Sequence, residues 1–390
     1  MTSRRRLSIL LIALAVAASA CGGPILANPA APTAGIPART PAPEPPDDPQ
    51  PIVLPRDDGP HERLTEWWYY TGHLVDEDGG TWGFEYVIFR AERGSFPISW
   101  AAHFALTDET AGTFTYAQRS AVGPQVDRSP RGPDGEPTGF DLSVVDLGAP
   151  PTPAGNPAWT MTGGAGTDRL TAVAGVAEPL SAPGGRTIAL DLQVRTDRPV
   201  ALHDTDGWIP FGPAGGSYYY SRTRMDATGT LRVGDRELTV TGIAWFDHQW
   251  GDFISVGGGG WDWFALNLDD GTDLTVSVVL DRERRPVLTY ATIVDPDGTA
   301  RHVSGDAIAV EALGTWTSPL TGATYPSGWT LEIASEQLAL QLQPTVLDQE
   351  LDTRATTGVI YWEGSQRVTG THRGVPVTGR GYVELTGYAD

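Results

Sequence analysis

Lysine is absent from all 390 residues, so the 27 basic side chains are all arginine, and cysteine occurs once, at Cys21. Without a lysine amine there is no Schiff-base chemistry and no anchor for pyridoxal. With a single cysteine near the N-terminus, the body has no thiol nucleophile, thiolate metal site or internal disulfide. Packing must hold the fold. Charge is sparse, 19% of residues, and 48 acidic side chains against 27 basic ones leave a formal net charge of −21. Such a surface repels phosphate backbones, which argues against a nucleic-acid partner. Also missing are an HExxH or paired-histidine spacing, a Gly-x-Ser-x-Gly elbow, and a strand and helix flanking Gly257 to Gly260. Neither a metal site, a serine hydrolase nor a nucleotide cofactor is therefore expected, and the glycine run reads as a domain hinge.

Glycine (47), proline (32) and tryptophan (13) are abundant, and the aromatics sit among Gly, Thr and Val rather than at helical spacing. That is the profile of an all-β protein. Arg4-Arg5-Arg6, an apolar run from Leu7 to Ala18 and Ser19-Ala20-Cys21 read as a signal peptide over residues 1–21 ending in a lipobox, with Cys21 as the lipidation site. This implies secretion across the cytoplasmic membrane and attachment to a membrane by a lipid anchor. An ordinary signal peptide cleaved nearby, or a short transmembrane anchor, is the alternative. Residues 22–55, dominated by Pro and Ala, read as a disordered tether. The length of the remainder calls for two domains, placed at 56–250 and 251–390.

Short strands punctuated by turn signals recur along the body. Glu66 to Leu74 precedes an Asp-Gly turn and the returning strand Trp82 to Arg90. Alternation puts Glu66, Trp68 and Tyr70 on one face and Trp67, Tyr69 and Thr71 on the other. Phe264 to Leu268 leads into a second Asp-Gly turn, which raises the idea of a duplicated unit. The chemistry concentrates in Trp245-Phe246-Asp247-His248-Gln249-Trp250-Gly251, where a carboxylate and an imidazole lie between indoles. Asp247 and His248 are the candidate catalytic pair, with Trp67, Tyr69, His103, Tyr219, Trp250 and Trp263 as candidate lining of an apolar pocket. The structural alternatives are an Asp capping the domain junction, buried histidines bonded to carbonyls, and aromatics that merely fill cores. Neighbours on a strand point to opposite faces, so Asp247 and His248 share one cavity only at a bulge or strand end. Glu66 is expected to pair with an arginine such as Arg222.

Three motifs, Glu66-Trp67-Trp68-Tyr69-Tyr70-Thr71-Gly72, Asp247-His248-Gln249-Trp250-Gly251 and Gly381-Tyr382-Val383-Glu384-Leu385-Thr386-Gly387-Tyr388, resemble those of the lipocalin-like proteins related to carotenoid 1,2-hydratase (hydroxyneurosporene synthase), the AttH type. The resemblance spans residue 57 to the end. It implies two lipocalin-like antiparallel β-barrel domains packed together, with a ligand cavity near their interface. It further implies, without a cofactor, acid-assisted hydration or isomerisation of a double bond in a hydrophobic, isoprenoid-type molecule. His248 and Trp250 match the family's His-x-Trp pair. The aspartate that the resemblance implies after the second Asp-Gly turn is missing from Leu274-Thr275-Val276-Ser277, leaving Asp247 or Asp262 as substitutes. A non-catalytic carrier of lipophilic ligands is the alternative function.

Overall fold

The computed structural model describes residues 48–145, 157–176, 186–211, 215–253 and 258–389, and Cys21 with its apolar leader lies outside them. Two large antiparallel sheets account for the body. The first holds β1 (Thr65–Asp76), β2 (Thr81–Ala91), β3 (Ser99–Asp108), β4 (Thr113–Val122), β5 (Phe140–Val144), β6 (Trp159–Gly164), β7 (Thr167–Val176), β8 (Arg186–Arg195), β9 (Ala201–Leu202), β10 (Trp208–Pro210), β11 (Gly216–Val233) and β12 (Arg236–Gly251). Its strand order is β4-β3-β2-β1-β12-β11-β8-β7-β6-β5. The sheet curls until β4 lies against β5 and β7 without pairing to them.

The second sheet holds β13 (Gly258–Leu268), β14 (Asp273–Asp281), β15 (Pro286–Val294), β16 (Ala300–Ser304), β17 (Ile308–Thr317), β18 (Thr324–Ile333), β19 (Leu338–Pro344), β20 (Glu350–Asp352), β21 (Ile360–His372) and β22 (Val375–Thr386). Its order, β16-β15-β14-β13-β22-β21-β19-β18-β17, follows the same plan, with the first strand paired to the last. Strands β1 and β13, each followed by an Asp-Gly turn, therefore occupy equivalent places in the two sheets. The protein is an all-β, two-domain lipocalin-like fold.

Each sheet wraps its own core. Trp68, Tyr70, Phe84, Tyr86, Phe246 and Trp250 belong to the first, and Phe264, Trp329, Trp362 and Val383 to the second. A further apolar cluster of Tyr69, Val87, Trp245, Trp263, Ala265 and Tyr382 lies between the sheets. The central strands are consequently buried on both faces. Gly83 on β2 permits the close approach, because a Cβ there would stand 2.4 Å from the Tyr382 hydroxyl of the other domain.

Three expectations are corrected. Residues 48–55, read as the end of a disordered tether, are docked on the first domain. Ile52 and Leu54 pack against its core, and Asp48 pairs with Arg63 at 2.8 Å. A proline-rich stretch needs no regular structure to bury two aliphatic side chains. Gly258 to Gly260, read with Gly257 as a hinge, form the start of β13 beside a register shift; Gly257 itself lies outside the described residues. Arg222 pairs with Asp58 at 2.7 Å rather than with Glu66. Arg222 sits opposite Phe246 and so faces the first core, where Tyr220 also donates to Asp58, at 2.5 Å. Nearby, Tyr70 donates to Asp168 at 3.0 Å.

This buried network sets a first prediction. Replacing Arg222 by methionine leaves Asp58 and Asp168 enclosed without their cation, and urea unfolding should show a loss of about 3–5 kcal/mol. A loss below about 1 kcal/mol, the worth of a surface pair, would contradict the account.

Candidate functional site

Strand alternation delivers one side of a polar, aromatic site from each domain. On the first sheet, Tyr69 sits opposite Asp247 on β12 and Val87 on β2, Ser221 on β11 is opposite Asp247, and Thr71 is opposite Glu85. All face away from the first core. On the second sheet, Trp263 sits opposite Glu384, which is in turn opposite Glu363. The two faces meet, so that Asp247, Glu85, Glu363 and Glu384 gather among Tyr69, Trp245, Trp263, Tyr361 and Tyr382.

The carboxyls are held differently. Asp247 is 3% exposed and accepts hydrogen bonds from the Tyr219 hydroxyl at 2.5 Å, the Trp245 indole at 2.6 Å and the Ser221 hydroxyl. The Trp263 indole reaches across from the second domain to donate to Tyr219 at 3.1 Å. Glu85 accepts from the Tyr361 hydroxyl at 2.8 Å, another bond between domains. Glu363 is fully buried, and neither of its oxygens has a hydrogen-bond partner among the described residues. The Tyr69 hydroxyl lies close to it but outside hydrogen-bond geometry. Glu384 is half-buried and shares the rim of the cluster with Trp67, Phe89 and Trp261.

Burial disfavours the charged forms, so all four carboxyls hold their protons more tightly than in water. It raises Asp247 to about 7 against its three donors. It takes Glu85 to about 8, with the Tyr361 bond opposing and the charge of Glu384 adding, and Glu384 to about 7. Glu363 is raised well above its ordinary value, by burial and then by the charges of Glu384 and Glu85. Two histidines back the cluster. His203 is bonded to Ser221 at 2.7 Å and to Thr292 of the second domain at 2.9 Å, while His103 is bonded to Tyr361 at 2.8 Å and Thr356 at 3.0 Å. Burial holds each near 3, so both are neutral.

A model of the AttH-like family matches residues 45–388. The chain belongs to the AttH-like family. An AttH protein from Nitrosomonas europaea is 28% identical with a TM-score of 0.71, over 87% of this chain and 98% of that one. Kievitone hydratase from Nectria haematococca is similar in fold at 16% identity and a TM-score of 0.61, over 86% and 93% of the two chains. CghA with Sch210972 follows at 16% and 0.51, over 83% and 89%. No curated protein matches.

In this AttH-like chain, Asp247, Tyr69, Tyr219 and Trp263 meet at the inter-domain site, Trp67 is on its rim, and His103 touches it through Tyr361. His248 and Trp250 do not join them. They face the first core, His248 lying opposite Trp68, because Asp247 and His248 are neighbours on a regular strand. Asp262, the other proposed substitute acid, also points away from the cluster and accepts from Tyr388 at 2.8 Å. The strand expected to carry an aspartate sets Thr275 opposite Ala265 and Ser277 opposite Trp263, and the aspartate at its start, Asp273, is bound by Arg224 and Thr223 instead of joining the cluster. Glu85, Glu363 and Glu384, which sequence reasoning missed, are each the single carboxylate of their strand, set beside aromatic or aliphatic neighbours. That was a legible signal. Ser221 and His203 had none.

A surface groove of about 380 Å³ lined by Pro199 to Leu202 and Asp297 to His302 contains none of the four carboxyls. The four carboxyls are at the domain junction instead.

The raised carboxyls carry a pH prediction. Asp247, Glu85 and Glu384 titrate near 7, 8 and 7 when folded and at 3.8, 4.5 and 4.5 in their unperturbed state. The folded protein then binds more protons than the unfolded chain, and stability falls as pH rises from about 6.5 to 8.5, by at most ~1.4 kcal/mol per pH unit for each group. Neutral His103 and His203 give the opposite slope only below 6.5, the ordinary histidine value. Urea midpoints should decline across that window, and Glu85→Gln should decline less and exceed the parent at the alkaline end. A midpoint that rises with pH would be the contrary result.

Proposed function

We propose that this protein is a hydratase or isomerase that adds water across, or relocates, a carbon–carbon double bond of a hydrophobic small molecule held between its two domains. The observation that carries the reading is the gathering of four carboxyls, three buried and Glu384 half-buried, among indoles and phenols at the domain junction, where burial raises their pKa values. Protonating an alkene needs an acid that still holds its proton near pH 7, and burial supplies it. Glu363, with no donor on either oxygen, is the proton source. Asp247, kept receptive by Tyr219, Ser221 and Trp245, is the base that takes a proton from the attacking water or from the neighbouring carbon. The cation formed between these steps lies against the faces of Trp245, Trp263 and Tyr69. The likeness in fold to kievitone hydratase and to CghA with Sch210972 supports a small-molecule substrate. Entry is by the rim of Trp67, Phe89, Trp261 and Glu384. An isoprenoid such as a carotenoid is the substrate class we favour, and the leader ending at Cys21 supports a secreted, lipid-anchored location.

Incubation with a lycopene-type polyene bearing terminal isopropylidene groups should yield product heavier by one water, or an isomer of shifted absorbance. Glu363→Gln should lower turnover by more than about 100-fold while retaining ligand binding, and Asp247→Asn should lose a comparable factor. Tight binding of substrate with no product from the wild-type protein would instead establish the carrier.

A further inference from the structure

A second group of titratable side chains converges in the first domain, on the face of β12 opposite the acid cluster. His61 sits on the segment leading into β1, Glu66 lies near the start of β1, and His248 lies on β12. His61 Nδ1 stands 2.8 Å and His248 Nε2 3.0 Å from the same oxygen, Glu66 Oε1. Their candidate ligand atoms all fall within 4.8 Å of one another. Glu66 and His248 are fully buried, and the His61 side chain is 19% exposed.

The surroundings are those of a metal centre rather than of a chance ion pair. Behind His61, Nε2 lies 3.4 Å from Asp57 Oδ1, the position a carboxylate takes to orient a metal-bound imidazole. The Trp250 ring stacks on His61 at 4.0 Å, and the Trp68 ring covers His248 at 4.7 Å, giving the cluster an apolar jacket. Nδ1 of His248 is buried without a hydrogen-bond partner among the described residues. Nothing behind that ring fixes its proton, so the proton can move to Nδ1 and leave the Nε2 lone pair directed at Glu66.

We infer that His61 Nδ1, a Glu66 carboxylate oxygen and His248 Nε2 bind a divalent transition metal, zinc being the best match. Two imidazoles and one carboxylate form a ligand set suited to zinc, which leaves the fourth tetrahedral position for a water. Tetrahedral bonds of about 2.0–2.1 Å set ligand atoms roughly 3.3 Å apart, so the two separations to Glu66 Oε1 need widen by only tenths of an ångström, and the two histidine nitrogens already lie within 4.8 Å of each other. The protons balance. His61, hydrogen-bonded through both ring nitrogens, releases its Nδ1 proton to solvent, His248 shifts its single proton from Nε2 to Nδ1, and Glu66 stays ionised. The bound ion ties the lead-in segment to β1 and β12. It also gives His248 and Trp250 a role independent of the inter-domain chemistry.

The test uses untagged full-length protein stripped with a chelator, then titrated with zinc by calorimetry and assayed for retained metal after dialysis. Magnesium and calcium controls measure loose attraction to the acidic surface. One equivalent should bind with Kd below about 1 µM, survive dialysis and raise Tm. His61→Ala, on the partly exposed lead-in, and the conservative Glu66→Gln should each weaken binding by more than about 100-fold, and cobalt in the wild-type protein should show the visible absorption of a tetrahedral site. No retained equivalent of zinc in the wild-type protein, or binding in both variants as tight as in the wild type, overturns the proposal and leaves a metal-free His–Glu–His hydrogen-bond triad.

Discussion

The central strands of this molecule are buried on both faces, and the rest follows from that constraint. Antiparallel sheets usually leave one face to water. Here β1, β2 and β12 from one domain and β13, β21 and β22 from the other each feed a domain core on one side and the junction on the other. Strand alternation then becomes a sorting rule. It sends Trp68, His248 and Trp250 inward and Tyr69, Asp247 and Trp245 to the junction, though the six occupy two short stretches of chain.

Burying four carboxyls with so few donors is unfavourable. The fold tolerates it because the junction is pinned by bonds between domains around its perimeter. Trp263 donates to Tyr219, His203 holds Thr292, His103 holds Tyr361 and Thr356, and Asp273 is gripped by Arg224 and Thr223. For Asp247, Glu85 and Glu384, no guanidinium stands among the groups that shift them. The same enclosure that weakens the fold at high pH keeps protons on the carboxyls near neutrality. Strain of this kind, retained at one place and supported elsewhere, is what a site of acid chemistry requires.

Much of this was legible in the residues. The Gly, Pro and Trp profile announced an all-β body, period-two alternation put Trp67 and Tyr69 opposite Trp68 and Tyr70, and the same rule warned that Asp247 and His248 would part. What could not be read is which strands meet across a junction. Glu85 and Glu363 are separated by most of the chain, and only strand pairing within each sheet and sheet packing between them bring the two together. Likewise His61 and His248 carry no metal-like spacing, because β1 pairing with β12 closes the distance in space. The docking of residues 48–55 escaped composition for another reason: a proline-rich segment is polar on average, yet two aliphatic side chains and one aspartate suffice to seat it.

The central claim is that carboxyl groups between the domains carry protons at neutral pH. Infrared spectra of the full chain in heavy water, recorded across a pH titration, test it directly. The account predicts carbonyl bands of protonated carboxylic acids persisting at pH 7, with one band missing in a Glu363→Gln variant. A spectrum with carboxylate bands alone at pH 7 would contradict it.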